Sequence, residues 1–139
     1  MAVECFLDTG VLVYAVSSAA REAGRKRKAL ELVQRTDFGL SCQVLQDFYI
    51  TVTQRIRRPL SPTVAVALLD EYRVFPVVPT DHAQIVAAIE LSLLHGMAYR
   101  EAAALAAARA LEAPVIYTDA LEDGKTFSGV RVVNPFAGV

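Results

Sequence analysis

At 139 residues the chain has the length at which one domain buries a real core without disulfides or a structural metal, and a single domain over residues 1–139 is expected. Hydrophobic residues make up 54%, yet no stretch reaches the roughly 20 uncharged apolar residues of a membrane-spanning helix, and the start lacks a basic n-region, so neither membrane nor secretion is expected and the cytoplasm is the default. Fourteen basic against fifteen acidic residues give a formal net charge of −1, which excludes chain-wide basic character and confines any nucleic-acid contact to a local patch.

Val3 to Leu7 is a short β-prone apolar run that ends in Asp8-Thr9-Gly10, the pattern of a strand buried on both faces of a parallel sheet, with a short turn after it. Arg21 to Arg35 sets Ala23, Ala29, Leu30 and Val33 at near-helical spacing among Arg and Lys, an amphipathic helix with a basic outer face. Leu40 closes a second short strand. Ser41 caps a helix through Val44, Leu45, Phe48, Val52 and Ile56, which Pro59 ends. Ser61-Pro62 opens a helix over Thr63 to Tyr72, and Val74 to Val78 reads as a strand whose proline belongs near a sheet edge.

Asp81 to His95 is helical and stops at Gly96. The Ala-rich run Glu101 to Leu111 is the strongest helix pattern in the chain, and Pro114 separates it from a strand at Val115 to Tyr117. A final strand, Val130 to Val133, ends at Asn134-Pro135. Strands alternating with helices imply a three-layer α/β/α domain around a central, mainly parallel sheet.

In such a sheet, sites form beyond the carboxyl ends of the strands, which is where Asp8 and the pair Asp119 and Asp123 fall. An Asp after a strand is also a common turn former or cap. Asp47 lies in the second turn of its helix near the margin of the apolar face, and Glu101 opens the Ala-rich helix, where the helix dipole alone favours an acid. Cys5 and Cys42 belong to no Cys-x-x-Cys, and His82 and His95 are isolated, so all four read as structural. Asp8-Thr9-Gly10 spells the aspartic-protease triplet, but that chemistry needs two such carboxylates in a β-rich frame. A phosphoaspartyl phosphatase needs a second Asp where Gly10 stands.

Arg21, Arg25, Lys26, Arg27 and Lys28 form the densest basic cluster, with Arg55, Arg57 and Arg58 a second. Either reads as a solvated face or as a surface that steers phosphate toward the acids. Tyr14, Tyr49 and Tyr99 lie near candidate acids and suit either core packing or base stacking.

Taken in order, four segments carry a resemblance over nearly the full length. Phe6-Leu7-Asp8-Thr9-Gly10-Val11-Leu12-Val13-Tyr14, Ser41-Cys42-Gln43-Val44-Leu45-Gln46-Asp47-Phe48-Tyr49, Tyr99-Arg100-Glu101-Ala102, and Ile116 to Gly124 followed by Gly129 to Phe136 together resemble the PIN-domain ribonucleases, in particular the toxins of VapBC-type toxin–antitoxin pairs. The resemblance implies a PIN-like fold and divalent-metal-dependent endonucleolytic cleavage of RNA, with tRNA a common target class. It further implies Mg²⁺ or Mn²⁺ as cofactor, a cognate antitoxin, and a homodimer.

Residue by residue, the resemblance implies Asp8, Asp47, Glu101 and Asp123 as the catalytic acids converging on one crevice. Asp8, Glu101 and Asp123 would hold the metal, Thr9, Thr118 and Asp119 would support them, and Arg25, Arg27, Lys28 and Arg100 would meet RNA. The pattern departs from the family at Gly10 (usually Asn), Asp47 (usually Glu), Glu101 (usually Asp), Ala98 (usually Ser), Arg100 (usually aromatic) and Ala120 (usually acidic). Each acid swap moves a carboxylate by one methylene, where productive geometry holds to within about 0.5 Å. The expectation is weakened metal binding and reduced activity; the alternative is a non-catalytic PIN-like module that binds RNA or protein.

Overall fold

A computed structural model describes residues 3–139. Its centre is a six-stranded sheet ordered β3-β2-β1-β4-β6-β5, with β1 at Cys5–Leu7, β2 at Phe38–Ser41, β3 at Val77–Val78, β4 at Val115–Tyr117, β5 at Thr126–Phe127 and β6 at Val130–Val133. All pairings are parallel except β5 with β6. Helices α1 (Thr9–Ala15), α2 (Ala23–Val33), α3 (Cys42–Ile50), α4 (Pro62–Tyr72), α5 (His82–His95) and α6 (Tyr99–Ala110) flank it, giving the mixed α/β architecture that the alternating pattern predicts.

Every residue of β1 and β2 is buried, which explains why these strands read as continuous apolar runs rather than alternating ones. Alanine lets α6 lie close on the sheet: Ala102, Ala104, Ala106, Ala107 and Ala108 are buried around Leu105, and the helix touches β1, β2, β4 and β6. Gly39 in β2 reflects the same closeness, because a Cβ there would collide with the Leu111 side chain just past α6. The core runs through Phe6, Phe38, Phe48, Leu105 and Ile116, none of them reached by solvent.

Three features depart from the sequence expectation. The segment after Asp8 is a helix rather than a short turn: Asp8 caps α1 by accepting from Thr9 N–H, while Val11 and Leu12 bury their side chains. Packing here overrides the weak helix propensity of Gly10 and the β-branched Val11 and Val13. The helix after Ser41 changes to a π-helical turn over Thr51–Arg55, where Thr53 Oγ1 donates to the Tyr49 carbonyl at 2.6 Å. The run at Val74 to Val78 pairs only over Val77–Val78, at the sheet edge where its proline is tolerated. The two-residue β5 carried no strand signal of its own.

The strand order reverses direction at β1, with β2 and β3 to one side and β4 and β6 to the other. That is a topological switch point, and a crevice opens there beyond the carboxyl ends.

Candidate active site

Asp8 stands at the switch point. Its N–H donates to the Tyr117 carbonyl at 3.1 Å, which continues the β1–β4 pairing by one residue and fixes the backbone from which its side chain leaves. One carboxylate oxygen accepts from Thr9 N–H at 2.8 Å and the other from Thr118 Oγ1 at 2.7 Å. Thr118 is buried at the end of β4 and accepts in turn from Ala120 N–H at 3.0 Å. A chain of hydrogen bonds therefore runs from the loop after β4 to one oxygen of Asp8 and sets its orientation.

Burial raises the Asp8 pKa above the ordinary carboxylate range, the Thr118 hydroxyl and Thr9 N–H oppose that rise, and the charges of Asp119 and Asp47 add to it. Three acids thus share one electrostatic neighbourhood. Asp119 comes especially close to the helix start: a Cβ on Gly10 would sit 3.4 Å from Asp119 Oδ1.

A crevice is lined by Asp8, Thr9, Ser41, Gln43, Val44, Asp47, Arg100 and Ala104. Asp47 reaches it from the second turn of α3, whose start is fixed by Ser41 Oγ accepting from Val44 N–H at 3.1 Å. Arg100 Nη2 lies 3.5 Å from Asp47 Oδ1; the arginine side chain is 64% exposed and the aspartate 15%. Such a pair is worth roughly 0–1 kcal/mol after screening, so Arg100 is free to exchange Asp47 for another anion.

The expected convergence of four acids is corrected on two counts. Asp123 is exposed on the loop after β4 and accepts from Asn134 N–H at 2.9 Å, which ties that loop to the residue after β6 rather than facing the crevice. Glu101 is half-buried in the first turn of α6, but Arg100 and Ala104 are the α6 residues that line the crevice, because one step along a helix turns a side chain by about 100°. Asp8 and Asp47 are brought together, with Thr9 and Thr118 beside them and Asp119 close by.

Of the basic candidates only Arg100 lines the crevice. Arg25 is committed to Tyr14, donating to its hydroxyl at 3.3 Å with the guanidinium 5.4 Å from the ring centre, while Arg27 and Lys28 lie on α2 outside the lining. Two lining residues, Ser41 and Gln43, were read only as a cap and as part of a motif; nothing in the sequence separates their crevice-facing role from helix initiation. Cys5 is structural as expected, its thiol pushed up to about 11 by burial.

Among the described residues, no group of three or more His, Cys, Asp or Glu side chains is placed to hold a metal ion. Two carboxylates do face one crevice, and Mg²⁺ needs only one or two carboxylates when waters and phosphate complete its shell. The residues present therefore fit a hard divalent cation held by Asp8 and Asp47, and do not form a closed all-protein cage.

The fold and this strand-end acid define a class, and the comparisons agree. Residues 5–120 match the model of the PIN domain, and the chain belongs to the PIN-domain family. Among solved structures, it is similar to Mycobacterium tuberculosis VapC20, described as a Sarcin-Ricin loop cleaving toxin, at 21% identity and a TM-score of 0.66, over 91% of this chain and 98% of that one. A toxin–antitoxin complex from Klebsiella pneumoniae matches at 18% identity and a TM-score of 0.64, over 94% and 97% of the two chains. A DNA-bound VapBC from Salmonella typhimurium matches at 14% identity and 0.61, over 94% and 96%. The chain has the fold of VapC toxins. Comparison with curated proteins gives no match. No helix among the described residues is long and apolar enough to cross a membrane.

Proposed function

We propose that the chain, acting as one unit over residues 1–139, is a divalent-metal-dependent endoribonuclease of the VapC type, the toxin of a toxin–antitoxin pair, with activity reduced by an incomplete acidic site. The observation that carries this reading is Asp8 held at the β1–β4 switch point by Thr118, with Asp47 facing it across one crevice. Bound Mg²⁺ or Mn²⁺ supplies polarisation of the scissile phosphate and a lowered pKa for an attacking water. Asp8 and Asp47 hold the ion, Thr118 keeps Asp8 in the orientation that faces it, and Arg100 leaves Asp47 to pair with the phosphate. Loss of the third and fourth acids from the crevice is the physical reason for weak metal affinity.

The titles of its structural neighbours name a ribosomal RNA loop as the target of one relative and antitoxin complexes or promoter DNA for others. By that likeness we assign this chain an RNA substrate, with tRNA a target to test alongside the ribosomal loop, an antitoxin partner and a place in the cytoplasm. Ile85, Val86, Ile89 and Leu93 lie exposed within one arc of α5, an apolar stripe that supports burial against a partner copy in a homodimer. Calorimetric titration of Mn²⁺ together with cleavage of ribosomal RNA and bulk tRNA tests the reading: the natural protein should bind the ion and cut RNA, and Asp8→Asn should do neither.

A second reading is favoured by one observation. Arg100 already places a cation on Asp47, so a non-catalytic module that binds RNA or protein without metal is the alternative. RNA binding that is indifferent to chelator, without cleavage, would establish it.

A further inference from the structure

A groove adjoins the acidic crevice. It is lined by Ser41, Gln43, Val78, Pro79, Thr80, Gln84, Ile85, Tyr99, Ala103 and Ala107, and shares Ser41 and Gln43 with the crevice. The first turn of α6 faces both, Tyr99 lining the groove and Arg100 the crevice.

Charge divides sharply between them. The crevice holds Asp8, Asp47 and Arg100, whereas no ionised side chain lines the groove. Within the groove Gln84 carries an unmet need: its Nε2 is shielded from solvent and has no hydrogen-bond partner. A buried donor without an acceptor costs free energy that a ligand acceptor recovers. Tyr99, 40% exposed, offers a ring, and Val78 and Ile85 offer apolar wall.

We propose that this groove is a pocket for one unpaired RNA base, that of a nucleotide flanking the scissile phosphate, with Tyr99 stacking on the base and Gln84 donating to an acceptor on its edge. The proposal rests on the ribonuclease reading and adds to it a determinant of sequence preference. An uncharged groove beside a charged crevice is the division that nucleic-acid recognition requires, where phosphate contacts position the strand and base contacts specify it. Unpaired RNA bases are read in this way, by aromatic stacking together with amide contacts to base edges.

The test is to sequence the cleavage ends from a randomised RNA pool for the natural protein, Gln84→Met and Gln84→Glu, with thermal melts confirming that each variant folds. Gln84→Met removes the donor at nearly constant volume; Gln84→Glu replaces it with an acceptor. The natural protein should prefer a base at one position next to the cut. Gln84→Met should flatten that preference by about fivefold or more while total cleavage stays within about twofold, and Gln84→Glu should shift it toward a base presenting a donor. Tyr99→Ala should weaken RNA binding about fivefold or more, with Tyr99→Phe restoring it. Natural protein that cuts RNA with an end preference untouched by either Gln84 variant overturns the pocket and leaves the nuclease reading standing. If the natural protein cuts nothing, anisotropy with the four homopolymeric ten-nucleotide RNAs decides: binding with a base preference that Gln84→Met erases supports the pocket alone, and absence of binding overturns both readings.

Discussion

Asp8 and Asp123 each follow a strand, and each has a carboxylate oxygen that accepts a backbone N–H, from Thr9 in one case and Asn134 in the other. Their fates differ because of where the second oxygen points. At the switch point Thr118 holds it toward a crevice already occupied by Asp47; on the loop after β4 it faces solvent. An acid becomes part of a site when neighbouring strand ends enclose it. Beyond the last pairing of a sheet, the same residue only fastens a loop.

The largest expected effect separates these two acids. Asp8→Ala should abolish RNA cleavage, by more than about 100-fold, since supporting contacts to metal ligands alone are worth 10–100-fold. Asp123→Ala should leave cleavage within about twofold and cost roughly 1 kcal/mol of stability through the lost bond to Asn134. Parallel cleavage assays and denaturant melts check both, and equal losses of activity in the two variants would end the distinction.

Next in size is Thr118→Val, which keeps the shape but strips Asp8 of its donor and Ala120 N–H of its acceptor. Activity should fall by about 10-fold or more and stability by about 1–3 kcal/mol. Kinetics beside a melt would show whether orientation of Asp8 matters separately from folding.

Asp8 itself should be destabilising at neutral pH. Its folded pKa is raised, so as pH climbs above the ordinary carboxylate value the unfolded chain releases the proton first, and stability falls until the folded group ionises too. Asp8→Asn should therefore raise the melting temperature at pH 7 by a few degrees, taking roughly 1 kcal/mol as about 4 °C, and the gain should vanish near pH 3. A natural protein that melts higher than the variant at pH 7 would contradict the burial argument.

The smallest effect belongs to the exposed cation. Arg100→Met should tighten Mn²⁺ binding less than about fivefold, because the screened pair with Asp47 is worth under 1 kcal/mol, and should weaken RNA binding at the same time. Calorimetry and anisotropy read the two changes; metal affinity falling instead would mean that Arg100 positions Asp47 rather than competing for it.

Much of this was legible from residues alone. Short apolar runs at Val3 to Leu7 and Val115 to Tyr117, with helices between, gave the parallel sheet, and the Asp after the first run gave the address of the site. Helix α1 was missed because its signal is packing of Val11 and Leu12, which propensity at Gly10 and Val13 opposes. Glu101 was misplaced relative to the crevice for a related reason: an acid at a helix start is legible, but which way it faces depends on rotation set by the alanines farther along, and these are buried on several sides of α6. Gln84 was invisible, since an amide in the first turn of an exposed helix has no sequence mark to show that its nitrogen is enclosed.

Gly10 and Asp119 restrict how this site can change over time. With Asp119 Oδ1 only 3.4 Å from where a Cβ at position 10 would begin, any larger residue there must displace the acid or bond to it. An asparagine introduced at position 10 therefore works only in partnership with the carboxylate at 119, and the two positions form an epistatic pair whose order of replacement matters. A lineage that lost the asparagine first could let Asp119 settle inward, and recovery would then require the acid to move out before the amide could return.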